Sequence, residues 1–408
     1  MIARRPEHEL LLLCARTRVS SAQETRISEL MSQPLNWEYL LALAGGHRVL
    51  KLLFWNIRRL CPDKLPAQYD AEGASYLQSS IFRNLMLANK LLQLTKLFEA
   101  NDIPMLSFKG PCLAMMAYGS LALREFDDLD ILVQQRDVER AKDLLCANGY
   151  TYIDRNANEG SAASYNPDRG YHFYFVHEQD GSAIELHWQL MKSLFTLQPT
   201  FADVQKRLET VSFRGGQVVS LGPEDLLIVL SMHGTKHAWE RLAWICDIAE
   251  LIAARPTMDW RRIMEQASIF HCRRMLLLGL WLAHNLLDTT LPDEMQQQVQ
   301  AEVVLPRLGA YVTERLFAQD VWNSQPPVIS EADYEFHLQI REHLRDRFTY
   351  VRQVILPRHW LPNASDRAAV ELSSNLSFLY YVTRPLRLAR KYGFQPFRRF
   401  LGYLLLPR

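Results

Sequence analysis

Asp128-Leu129-Asp130 runs directly into Ile131-Leu132-Val133. The branched apolar residues read as a strand, whose side chains alternate between faces, so both aspartates project from one side and Leu129 and Ile131 from the other. Two carboxylates held that close repel unless a cation sits between them, and hard oxygen donors suit Mg²⁺. Glu185, in Ala183-Ile184-Glu185-Leu186-His187, is a further acid set in an apolar strand. Beside the aspartate pair it would complete a two-metal site that clamps the attacking and leaving oxygens of a phosphoryl transfer. A lone D-x-D is a weak signal. The same residues also read as an exposed strand edge, with Glu185 paired to an arginine.

The positive groups nearby have the same two-sided character. Lys109-Gly110 lies between a short apolar run, Met105 to Phe108, and a helix-compatible stretch, Cys112 to Tyr118, with Pro111 in the favoured first turn. A glycine there lets the backbone approach a ligand, the helix start offers unpaired N–H groups, and the lysine can meet phosphate oxygens; an ordinary strand-to-helix turn would look alike. Arg124 either contacts a phosphate or neutralises Glu125, Asp127 and Asp128. His187 shares a strand face with Glu185 and either tunes that acid or packs beside Trp188. His233 and His237, four apart on one helix face, have a spacing that can ligate zinc. Gly234 stands where H-E-x-x-H places its glutamate, so a buried helical pair near the cleft, with Lys236 or Asp247 beside it, is the preferred reading.

The elements that must position these residues divide the chain into three regions. Residues 1–100 read as helices: one capped by Asn36 and interrupted at Gly45-Gly46, another from His47 to Leu60, and a third from Tyr76 to Ala100 with Ile81, Leu85, Ala88 and Leu92 on one face. Residues 101–222 alternate strands and helices, beginning with strand, turn and helix around Lys109. A strand over 126–133, a helix from about Arg136 to Ala147 and a strand at Tyr150 to Ile153 follow. The polar stretch 154–170 reads as a loop. Tyr171–His177 and Ala183–His187 form a hairpin about Asp180-Gly181, and Phe213–Ser220, broken by Gly215-Gly216, forms a last one. Residues 223–408 are helical again, with segments 226–232, 244–253, 260–270 and 275–287. The expected fold class is α+β, a small mixed sheet with helical regions on either side in sequence.

At 408 residues the chain is long enough for two or three domains at about 150 residues each. Its 48% hydrophobic and 22% charged content excludes a mainly disordered chain. Lys plus Arg number 46 against 45 Asp plus Glu, so no global basic excess draws it to nucleic acid. The longest apolar run, Met275 to Ala283, is far short of the roughly 18 residues that span a bilayer, and the start of the chain lacks a secretory pattern. Cys14, Cys61, Cys112, Cys146, Cys246 and Cys272 lie far apart, read as buried thiols, and point to a reducing cytoplasmic setting. After Glu371 no acid occurs, while arginines from Arg384 to Arg408 interleave with aromatics. Such a tail could meet an anionic acceptor, a membrane surface or nucleic acid; a docked terminal helix with snorkelling arginines is preferred.

Taken together, Phe108-Lys109-Gly110, Tyr118, Arg124, Asp128–Val133, Gly149-Tyr150, Glu185-Leu186-His187-Trp188, His233-Gly234, His237, Trp239, Leu242 and Asp247 resemble the bacterial "uncharacterised nucleotidyltransferase" family of the DNA polymerase beta-like superfamily. The resemblance extends from about Trp37 to the segment Arg384–Leu388. It implies a nucleoside triphosphate donor bound with Mg²⁺, two ions in all, and transfer of a nucleotidyl group to an acceptor hydroxyl or phosphate. Carried over by position, Asp128 and Asp130 are the metal-binding pair, and Glu185 is the third carboxylate, which helps deprotonate the acceptor. The nucleotide-binding groups are expected at Lys109, Gly110, Arg124, His187, His233, Lys236 and His237. The chain departs from the wider superfamily in its first motif, a Gly-Ser or Gly-Gly about ten residues before the aspartates. Lys109-Gly110 lies farther upstream, and Gly119-Ser120 falls at a helix end. That departure motivates a second hypothesis, a retired enzyme serving as a nucleotide- or protein-binding platform. The acceptor, whether protein, sugar, metabolite or RNA end, is not encoded in any motif.

Overall fold

The computed structural model describes residues 5–154, 171–191, 197–318 and 331–355. The basic aromatic tail and all but the first residue of the polar 154–170 stretch lie outside these. Described residues up to 318, Leu197 aside, belong to one compact unit, and residues 331–355 belong to a second. The second contains helices Glu331–Gln339 and Leu344–Tyr350, with Tyr334, Leu338, Tyr350 and Val351 in a shared apolar core.

The first unit opens with helices α1 (Pro6–Cys14), α2 (Ser21–Leu30), α3 (Trp37–Gly46), α4 (Leu50–Leu60) and α5 (Ala67–Glu99). Asn36 caps α3 as expected, its Oδ1 accepting from the Tyr39 N–H at 3.0 Å. The break falls after the two glycines, not at them. Arg48 takes a left-handed φ of 55°, and α4 begins at Leu50 rather than His47. His47 is withdrawn from the helix and wholly buried. Its Nδ1 accepts from the Leu242 N–H at 3.2 Å and its Nε2 donates to the Leu316 carbonyl at 2.9 Å. α5 is nine residues longer at its start than the apolar stripe suggests, and at 33 residues it spans about 50 Å. Gly73 lies against the Phe54 ring, where a Cβ would collide.

Burial lowers the His47 pKa from its ordinary 6.5 to about 4. The unfolded chain therefore binds the proton more readily, so the stability from this neutral imidazole is complete above pH 6.5 and is lost as pH falls toward 4. One such group is worth about 3 kcal/mol across that window. Urea midpoints at pH 7.5 and 4.5 should fall further for wild type than for His47→Gln; equal losses would show that His47 carries none of the acid sensitivity.

The central sheet combines β1 (Met105–Ser107), β2 (Asp128–Val133), β3 (Tyr150–Tyr152), β4 (His172–His177) and β5 (Ala183–His187). Its spatial order is β1-β2-β5-β4-β3, and only the central β2·β5 pair is parallel. Helix α6 (Gly110–Tyr118) follows β1, and α7 (Val138–Ala147) leads to β3. The apolar face of the sheet buries Leu129, Ile131, Ile184, Leu186 and Phe175 completely. Burying each aliphatic side chain there contributes about 1.5–3 kcal/mol, which fixes the register and leaves the alternate residues facing the other way.

A short helix α8 (Phe201–Val204) precedes a separate hairpin, β6 (Leu208–Phe213) and β7 (Gly216–Leu221). The Gly215-Gly216 break predicts the whole hairpin within 213–220. In the structure that stretch is chiefly its second arm, because the turn is Arg214-Gly215, both residues at positive φ. Helices α9 (Pro223–Lys236), α10 (Leu242–Ala254), α11 (Trp260–Ile269), α12 (Arg273–Leu287), α13 (Asp293–Ala301) and α14 (Leu305–Phe317) complete the unit. The mixed α+β class expected from the sequence is the one observed. Five cysteines are buried, but Cys146 is exposed, contrary to expectation; it lies one residue before the end of α7. No helix among the described residues is long and apolar enough to cross a membrane.

Candidate active site

Parallel pairing of β2 with β5 sets Asp130 directly opposite Glu185, and residues opposite one another on neighbouring strands share a face. Asp128, two residues before Asp130, lies on that face as well. The His187 ring binds the arrangement together, its Nε2 lying 3.3 Å from both Asp130 Oδ1 and Glu185 Oε2. These approaches are ionic in character, since neither ring nitrogen of His187 makes a well-directed hydrogen bond. Asp130 and His187 are 5% and 3% exposed, and Glu185 opens to solvent at 18%.

Lys109 supplies the other cation. Its backbone, two residues beyond β1, is the N-cap of α6, and Nζ donates to Asp130 Oδ1 at 3.0 Å. Gly110 makes the turn at φ 48° beside the Asp128 carbonyl; a side chain there would be strained by the left-handed backbone. Burial alone would raise the Asp130 pKa, but the Lys109 ammonium and His187 outweigh it and hold the carboxyl well below the usual range. Glu185 is brought down to about 2 against its own burial, chiefly by His187. Asp128 goes the other way, pushed up to about 6 by burial and by the neighbouring charges of Asp130 and Glu185. The Lys109 pKa, which burial would lower, is raised by Asp130 and Glu185.

This charge balance tests whether a divalent ion fits. Three carboxylates face one lysine and one imidazole, and the repulsion raising Asp128 is the kind that a bound cation relieves. The donor set is mainly carboxylate oxygen, as Mg²⁺ requires. By charge and donor chemistry Asp128, Asp130 and Glu185 suit a divalent metal, although as they stand their oxygens do not all gather within 4.8 Å of one another, and Lys109 engages one of them.

His172 was not singled out by sequence reasoning. It pairs across the β4–β5 hairpin with His187, the two rings stack at 5.1 Å, and His172 Nε2 is 3.9 Å from Glu185 Oε1. Burial and the neighbouring His187 lower its pKa to about 4. The pairing depends on the register of the loop: it is centred on Gln179-Asp180, which sets His172 opposite His187, whereas a two-residue turn at Asp180-Gly181 would set it opposite Gln189. Tyr171, next in line, packs its ring on His172 at 4.2 Å and accepts from Lys236 Nζ at 3.0 Å. Lys236 thus reaches the margin of the carboxylate cluster through a tyrosine. His233 and His237 lie 5.0 Å apart and both pack on Trp244. Burial, with Lys109 nearby, keeps His233 far below its ordinary pKa, and burial with Lys236 takes His237 to about 3. They form a neutral aromatic cluster, and the described residues whose donor atoms gather within 4.8 Å are His172, Glu185 and His187 instead.

Arg124 is committed elsewhere. Its Nε and Nη2 donate to the two oxygens of Asp247 at 2.8 and 3.0 Å, and Tyr118 Oη donates to the same carboxylate at 2.8 Å. The Arg124 carbonyl accepts from Lys51 Nζ at 3.2 Å and Asn84 Nδ2 at 2.8 Å. Helices α4, α5 and α10 therefore all grip the irregular segment that delivers Asp128 into β2. Gly119 ends α6 at φ 65°, which places Gly119-Ser120 at a helix terminus as the sequence suggested. It is not a phosphate-binding turn at a helix start.

Comparison with known proteins adds the family. No curated protein matches the chain. Among solved structures, an antigenic nucleotidyltransferase-like protein from Paracoccidioides brasiliensis is similar at 13% identity, covering 57% of this chain and 92% of that one with a TM-score of 0.31; so slight a likeness carries no argument. The model of the uncharacterised nucleotidyltransferases matches residues 33–288. That span begins near Trp37, as the motifs suggested, but ends long before Arg384, so the tail has no part in it. Holding the Lys109 turn, the Asp128-Asp130 strand, Glu185 and the α9–α10 histidine cluster within one match, the chain belongs to the uncharacterised nucleotidyltransferase family.

Proposed function

We propose that the protein moves a nucleotidyl group from a nucleoside triphosphate to an acceptor hydroxyl or phosphate. The observation that carries this reading is the register of β2 and β5, which sets Asp130 opposite Glu185 with Asp128 on the same face. Asp128, Asp130 and Glu185 would hold Mg²⁺, two ions in the full complex. The ions, when bound, would neutralise phosphate charge and align the reacting oxygens.

The chain's own residues take the remaining work. With a cation held by Asp130, the Lys109 ammonium would be free to meet phosphate oxygens at the start of α6. His187 keeps Glu185 and Asp130 ionised. Lys236, held by Tyr171 at the rim, offers a second positive group to the triphosphate. Arg124 acts as a positioning residue through Asp247.

Thermal stability measured with ATP, GTP, CTP and UTP, each with and without Mg²⁺, tests the reading. A ligand at one hundred times its Kd stabilises the native state by about 2.7 kcal/mol. One nucleotide should raise the melting temperature only with Mg²⁺ present, and Asp128→Asn should remove that rise. A shift indifferent to metal, or retained in the variant, would remove Asp128 from the site.

A further inference from the structure

Glu185 faces two histidines as well as an aspartate. His187 Nε2 lies 3.3 Å from Glu185 Oε2, and His172 Nε2 lies 3.9 Å from Glu185 Oε1. Donor atoms of the three residues all fall within 4.8 Å of one another. Ligands around a tetrahedral ion at 2.0–2.1 Å are separated by about 3.4 Å, so a small inward rotation of the partly exposed His172 closes the set.

The arrangement follows from the hairpin. His172 and His187 are a directly opposed pair on β4 and β5, and Glu185 is two residues before His187 on the same face. His187 is the second observation. Its side chain is only 3% exposed, and Nε2 approaches the Asp130 and Glu185 oxygens at 3.3 Å without a well-directed hydrogen bond to either. A metal ion held by that nitrogen and by Glu185 would replace this loose ion pairing with directed bonds.

We propose that His172, Glu185 and His187 form a separate binding site for a nitrogen-preferring first-row divalent ion of the Zn²⁺ or Co²⁺ class. Two imidazoles and one carboxylate leave a coordination position open, and imidazole selects such ions over Mg²⁺, which takes oxygen. The site shares Glu185 with the catalytic reading but requires neither nucleotide nor turnover. Its ion would sit on the β4 side of Glu185, away from Asp128. Phe108, whose ring meets His187 edge-on at 5.3 Å, closes the inner side against water.

The experiment uses the full chain stripped with a chelator, without nucleotide, and carrying Cys146→Ser to remove the exposed thiol. Co²⁺, Zn²⁺ and Mg²⁺ are titrated by calorimetry, and the visible absorption of bound Co²⁺ is recorded. One Co²⁺ per chain should bind roughly 100-fold more tightly than Mg²⁺, with a spectrum typical of low coordination number. His172→Ala, at a position 20% exposed and so tolerant of change, should weaken Co²⁺ at least about tenfold and alter its spectrum. His187→Gln should do the same, and Asp128→Asn should leave Co²⁺ affinity within about threefold. Co²⁺ binding no tighter than Mg²⁺, or unmoved by both histidine variants, overturns the proposal and leaves His187 as a protonated bridge. The catalytic reading fails separately, through absence of the Mg²⁺-dependent nucleotide shift.

Discussion

Asp130→Asn is expected to lower nucleotidyl transfer by about 10³-fold or more, since metal-held charge stabilisation is worth several kcal/mol in the transition state and each 1.36 kcal/mol is tenfold in rate. The amide keeps the shape of the side chain but loses the charge that would neutralise a divalent cation and that balances the Lys109 ammonium. Transfer of a labelled α-phosphate into acceptors of a cell extract, using the nucleotide that stabilises the protein, gives the rate. A circular dichroism spectrum matching wild type shows that the variant is folded. Transfer within tenfold of wild type would end the assignment of Asp130, whatever the nucleotide shift shows.

Asp247→Ala is expected to cost about 3–5 kcal/mol of stability, because it strands a buried guanidinium that, among the described residues, is ion-paired to that carboxylate. Arg124 and Asp247 are 12% and 2% exposed, and the Tyr118 hydroxyl loses its acceptor in the same change. Arg124→Ala should cost a similar amount, leaving the carboxylate unpaired. The double variant should be less damaged than the sum, since the two side chains form one unit. Urea denaturation of the three proteins reads this directly. A phosphate-binding Arg124 would give the opposite pattern, a stable Arg124→Ala protein with weakened nucleotide affinity, and that result would return it to the binding groups.

The parts of the site that sequence could reveal are those governed by local periodicity. Asp128 and Asp130 had to share a face once Ile131 to Val133 marked a strand, and Asp180-Gly181 closes the β4–β5 hairpin where a turn was expected, with Gly181 at φ 67°. The pairing of Asp130 with Glu185 was harder, because parallel neighbours leave no turn between them to count from. Arg124 could be recognised as a candidate, but the carboxylate that claims it is 123 residues away, and no spacing rule spans that distance. The first arm of the β6–β7 hairpin went unread for another reason: Leu208, Glu209 and Thr210 alternate weakly, and the two-stranded sheet buries only part of each strand. His47 illustrates tertiary packing overriding propensity, a residue that suited a helix start being drawn out of it by hydrogen bonds to Leu242 and Leu316.

The parallel junction at the heart of the sheet also constrains how the chain folds. Asp130 and Glu185 are separated along the chain by α7, β3 and β4, since β5 reaches β2 from the far side of that excursion. Loop-closure entropy must be overcome before so distant a contact is rewarded, which places β2·β5 pairing late in assembly. The antiparallel β4–β5 hairpin, local and closed by five residues, can form beforehand and carry Glu185 with it. A chain emerging from the ribosome therefore exposes its aspartates and its glutamate as separate, weak acids. The complete carboxylate cluster comes into being with the native sheet, so a half-folded protein offers phosphates no finished trap.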